Sequence, residues 1–103
     1  MIATILSQNN IPIRLTRERW QHIVEEHSEL ADLQAEILST LAKPERILAG
    51  NAGELLAASE INKDKWLVVV YKETNGGGFV ITAFFTKRRH SLDRRKQVWP
   101  QPE

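Results

Sequence analysis

The strongest constraint on this chain is a change of hydrophobic period at Pro44. Upstream, Trp20, Ile23, Val24 and His27 recur at i, i+3, i+4 and i+7, the spacing of one buried helix face, and Leu33, Ile37, Leu38 and Leu41 form a second such stripe. Downstream, apolar runs alternate with turn clusters: RILA, GNAG, ELLAASE, NKDK, WLVVVYK, ETNGGG and FVITAFF. Runs of this length, rich in β-branched and aromatic residues, read as strands joined by hairpins. Ile11, Ile13 and Leu15 alternate with polar or turn residues as a short strand leading into the first helix. Thr16 suits its N-cap, and Glu18 lies in the first turn, where the helix dipole favours a carboxylate. The second helix is expected from about Asp32, as its cap, to Ala42, because Pro44 bars its continuation. The prediction is an α+β fold, with two N-terminal helices packed on one face of a four-stranded antiparallel sheet.

The last hairpin bears on which face they cover. If Lys72 pairs with Phe79, then Trp66, Val68 and Val70 share a face with Phe79, Ile81, Ala83 and Phe85, and this uniformly apolar face should take the helices. Leu67, Val69 and Tyr71 share the other with Val80, Thr82 and Phe84. A sheet face left to water is normally polar, and this one is not. It should therefore meet a partner protein, a stacked base or the chain's own tail.

Charge is unevenly spread. Residues 1–85 hold 8 Lys/Arg against 11 Asp/Glu, whereas residues 86–103 hold 6 against 2. This predicts a single α+β domain over residues 1–89 and a basic, poorly packed tail over residues 90–103, with Lys87, Arg88, Arg89, Arg94 and Arg95 as contacts for an anionic partner. The absence of cysteine excludes disulfides, thiolate zinc sites and cysteine nucleophiles. The opening MIATILS has neither a basic region nor a long apolar one, and no apolar run is long enough to span a bilayer. A cytoplasmic protein without membrane contact is the expectation.

Two of the three histidines lie in RWQHIVEEHSEL. His22 and His27 are five residues apart, so on a helix at about 100° per residue they point roughly 140° apart. A helical metal chelate needs i, i+4 spacing, and no metal or other cofactor is expected. The same geometry turns His27 toward the sheet and His22 toward Glu18, Glu25 and Glu26. Those adjacent glutamates splay apart, and Gly76–Gly78 lie in a hairpin rather than before a helix, so neither forms a hydrolase dyad or a phosphate cradle. What remains is FVITAFFTKRRH, a strand ending in hydroxyls and cations. Lysine and arginine hold a phosphate, a threonine hydroxyl bonds its oxygens, and a histidine moves protons.

The order RLTRERWQHIVEEHSEL, LAKPERIL, GELLA, WLVVVYKE and FVITAFFTKRR resembles the small phage and bacterial proteins of the barnase–EndoU–colicin–RelE-like nuclease superfamily, over about residues 13–89. The resemblance implies a metal-independent ribonuclease, in many members a toxin or effector. It implies a site made of a helix histidine (His27 or His22), a hydroxyl on the last strand (Thr82 or Thr86), and Lys87 with Arg88. RNA is the expected partner. A protein antitoxin and self-association through the apolar sheet face are further candidates. The alternative is a non-catalytic module that binds nucleic acid through the basic arm or protein through the apolar face.

Overall fold

The computed structural model describes residues 2–101. Strands β1 (Ala3–Leu6) and β2 (Pro12–Leu15) form a hairpin, followed by α1 (Arg17–Glu26), a 3-10 turn (Ser28–Leu30) and α2 (Gln34–Ala42). Then come β3 (Arg46–Ala49), β4 (Leu55–Asn62), β5 (Lys65–Thr74), β6 (Gly77–Thr86), a short α3 (Arg89–Asp93) and β7 (Gln97–Trp99). All the strands join one mixed sheet in the order β1-β2-β6-β5-β4-β3-β7. Every neighbouring pair is antiparallel except β2 with β6, which is parallel.

The expected four-stranded antiparallel sheet under two helices is therefore wrong in size and in type. Four of its strands exist as β3 to β6, and the predicted Ile11–Leu15 strand is present as β2. That strand, however, joins the same sheet beside β6, adds a parallel pair and brings β1 with it. Strands β1 and β7 have four and three residues, too short to show a period. Of the tail expected over residues 90–103, residues 102 and 103 lie outside the described residues, and most of the rest is folded onto the sheet rather than poorly packed. Residues 89–93 form α3 and 97–99 form β7, Leu92 is 3% exposed, and β7 pairs with β3 through Ile47 and Leu48.

The helices cover the face opposite to the one predicted. Lys72 does pair with Phe79, but the register then shifts. Tyr71 faces Val80 while Val70 faces Thr82, so β6 carries one extra residue, Ile81, as a β-bulge. Because side chains alternate, that residue flips the rest of β6. Ala83 and Phe85 join Val80, Leu67, Val69 and Tyr71 beneath α1 and α2, in a core shared with Ile13, Leu15, Ile23, Leu30, Ile37 and Leu41. The other face holds a second core of Leu48, Leu56, Ala58, Trp66, Val68 and Val70, which Leu92 of α3 covers. Both faces of β5 are apolar because both are buried, one by the helices and one by the chain's own C-terminal segment.

Gly78 permits the β2–β6–β5 junction. A Cβ there would lie 2.1 Å from the Lys72 carbonyl oxygen and 2.8 Å from Ile13 Cδ1, so the two flanking strands close only around a residue without a side chain. Among the described residues, no helix is long and apolar enough to cross a membrane.

Candidate nucleic-acid site

The site is built where α1 ends against β6. Thr16 caps α1 as expected, its Oγ1 accepting the Arg19 N–H at 3.1 Å. The helix runs to Glu26, and His27 terminates it: its N–H reaches the Ile23 carbonyl at 2.7 Å, and at φ −135° the chain leaves the helix. Buried Ile23 and Leu30 anchor the two sides of this corner. Strand β2 pairs with β6 only at Gly78 and Phe79, so α1 rather than a strand packs against the later part of β6. His27 accordingly lies beside Phe84, with ring centroids 6.4 Å apart and planes inclined by 40°. Its side chain is 31% exposed, and its Nδ1 is 4.0 Å from the Glu29 carboxylate. His22 is elsewhere: 53% exposed, its Nε2 paired with the Glu26 carboxylate.

Thr82 and Thr86 flank Phe84 on its own face of β6, facing Val70 and Trp66 on β5 as Phe84 faces Val68. Same-face neighbours along a strand are about 6.6 Å apart, so both hydroxyls lie in one row with Phe84, on the face opposite to the one that α1 and α2 cover, and of that row the Phe84 ring is the one beside His27. Thr86 Oγ1 accepts the Arg88 N–H at 3.0 Å, which ties the start of the basic run to the strand end. Lys87, Arg88 and Arg89 then line an open cleft together with His90, Ser91, Asp93 and Asp64 of the β4–β5 turn.

The remaining cations predicted for this site are placed otherwise. Arg95 donates from Nη1 to the Ala49 carbonyl at 3.3 Å and to Asn51 Oδ1 at 3.4 Å, and so fastens the approach to β7 onto β3. Arg94 is exposed and does not line the cleft. Several residues had not been singled out. Arg46 lies 5.9 Å above the Trp66 ring and bonds Asp93 at 2.7 Å, with Arg89 at 3.8 Å from the same carboxylate. Lys65 places its ammonium 4.3 Å from the Phe85 ring. Phe84 belongs to the apolar face that the sequence leaves for a partner, a stacked base or the tail, without a role in the site. The period-two pattern of β6 places it between the two threonines.

The hydrogen bond from Arg46 holds the Asp93 carboxyl below the ordinary aspartate value of 3.8, with the nearby positive charges adding to it. A carboxyl depressed on folding stabilises above its unfolded value, and the benefit is lost as pH falls through the folded one. The gap in melting temperature between the wild type and Asp93→Asn should thus be open near neutrality and close as the solution is acidified below that range. A gap that stayed constant from pH 6 to pH 2.5 would show that the Arg46–Asp93 contact does not hold α3. Among the described residues, no three histidine, aspartate or glutamate side chains converge as a metal site. Comparison with models of known families, with curated proteins and with solved structures returns no match.

Proposed function

We propose that this protein is a metal-independent endoribonuclease that cuts RNA by attack of the 2′-hydroxyl on the adjacent phosphate. The observation that carries this reading is the His27 ring beside Phe84, a residue flanked along β6 by Thr82 and Thr86, with Lys87 and Arg88 following directly on the strand. His27 removes the 2′-OH proton. O2′ bonds to phosphorus, the P–O5′ bond breaks, and the 5′-oxygen leaves with a proton from solvent, which reaches this partly exposed histidine. The products are a 2′,3′-cyclic phosphate and a free 5′-hydroxyl. Lys87 and Arg88 offset the charge that grows on the phosphate oxygens, and a threonine hydroxyl donates to one of them. Thr86 is available for this, since its contact with the Arg88 N–H uses only a lone pair of its oxygen.

The composition is compatible with a reducing cytoplasm, where RNA is at hand, and with a toxin-like role there. The test is incubation of the purified protein with unstructured RNA in excess EDTA. Cleavage is the expected result. Intact RNA that nonetheless binds, with an affinity falling steeply as salt rises, would replace the nuclease with a binding module.

A further inference from the structure

On the face that carries Phe84, α3 covers β3, β4 and β5 but not the far end of β6. There Phe79 is 40% exposed, one of two large hydrophobic side chains left open among the described residues. It is not an isolated apolar residue. Arg14 on β2 is its partner in the parallel ladder, and Lys72 on β5 its partner in the antiparallel one. Ladder partners point to the same face, so a cation flanks the ring on each side. Among the described residues, neither cation has a carboxylate within 4.0 Å. Arg14 also lines a depression with Thr4, Pro12, Thr74 and the β5–β6 turn.

We propose that Phe79 is a base-stacking platform for single-stranded RNA, with Arg14 and Lys72 holding the phosphates on either side of the stacked nucleotide. The inference rests on the reading that RNA lies along β6, and it names the substrate class: an unpaired strand rather than a duplex. Stacking on an aromatic face needs a base free of its helix, whereas duplex RNA offers only its backbone and groove edges. Five residues of strand separate Phe79 from Phe84, roughly 15 Å after allowance for the bulge. One short segment of RNA thus reaches both the platform and His27. The positive flanks argue against a protein strand or an apolar peptide as the occupant.

The experiment uses a short unstructured RNA in which every 2′-hydroxyl is methylated, so that binding is measured without cutting. Fluorescence anisotropy with the full chain should show Phe79→Ala weakening binding about 5- to 150-fold, the range found for loss of one stacked base. Phe79→Trp should restore it, and Leu6→Ala, at the other exposed hydrophobic residue, should leave it unchanged. Arg14→Gln should weaken binding and reduce the slope of log K against log salt by about 0.7. Wild-type affinity in Phe79→Ala would overturn the platform, as would equal, equally Phe79-dependent binding of a duplex of the same length. Platform and nuclease fail separately. Binding that depends on Phe79 without cleavage of ordinary RNA sinks only the nuclease, and cleavage with Phe79-independent binding sinks only the platform.

Discussion

Replacing His27 with alanine should lower RNA cleavage about 10²- to 10⁴-fold, while His22→Ala leaves it within about twofold, because positioned proton transfer contributes on that scale. The two histidines share one segment, so each is a control for the other. His27 closes α1 against β6 and lies beside Phe84, whereas His22 projects from the solvent side and is engaged with Glu26. An RNA strand lying along β6 passes Phe84, beside which the first ring lies, and not the second. His27 is partly exposed and its side chain makes no hydrogen bond to the core, so alanine there should spare the fold. Unchanged circular dichroism and urea midpoint would confirm that. His27→Gln, which keeps polarity and bulk but cannot shuttle the proton, should be equally inactive. Loss in His22→Ala with full activity in His27→Ala would mean that the catalytic surface is the acidic side of α1.

Deleting everything after Thr86 should abolish cooperative folding, although charge and composition alone suggest a dispensable tail. Leu92 is almost wholly buried, and its removal uncovers Leu48, Trp66, Val68 and Val70 on the second face of the sheet. Burial of one such leucine is worth about 1.5–3 kcal/mol, and the deletion also exposes the residues that it covers. It strips β7 from β3, leaving an open sheet edge, and takes Asp93 from Arg46, whose buried Nε already has no partner. A small domain is stable by only about 5–15 kcal/mol, so losses of this kind together exhaust it. Leu92→Ala is the graded version, with an expected cost of about 2–5 kcal/mol and a correspondingly lower urea midpoint. A truncated chain that unfolded cooperatively at the wild-type midpoint would refute the second core.

Local signals in the sequence were legible where one residue decides one feature. Thr16 caps α1 as its side chain suggests, α2 ends at Ala42 just before Pro44, and Arg46–Ala49 forms a strand with the bounds that its pattern implies. Lys72 opposite Phe79 follows from the hairpin loop. Features that depend on two distant segments were not legible. FVITAFF contains no glycine or proline to mark the bulge, and its β-branched and aromatic residues suit either face, so the extra residue at Ile81 reversed the assignment of the helix face. Nothing in Pro12–Leu15 says that its neighbour is a strand more than sixty residues away, running parallel. The basic segment misled because its cations outnumber its apolar groups. A single leucine at position 92 and a three-residue strand were enough to fold it onto the sheet.

The same division runs through the site. Periodicity turned His27 toward the sheet and put Thr82 and Thr86 in one row, both local inferences. Arg95 was counted with the phosphate contacts because it is charged, yet it holds the backbone near β3. The sequence places Phe79 on the face expected to lie under the helices, whereas it is exposed beside Arg14 through a parallel pairing that the sequence does not reveal. Side-chain chemistry is local to a segment, whereas which side chains become neighbours depends on topology.

The most direct measurement of the central claim uses a single-stranded RNA with one defined cleavage position, compared with the same strand carrying a single 2′-deoxynucleotide on the 5′ side of that bond. The assay is run in EDTA, with the ends of the fragments determined. The account predicts 2′,3′-cyclic phosphate and 5′-hydroxyl ends from the all-ribose strand and no cut at the deoxy position. Equal cleavage of both strands, or fragments ending in 3′-hydroxyl and 5′-phosphate, would contradict it, because neither outcome is available to attack by the neighbouring 2′-oxygen.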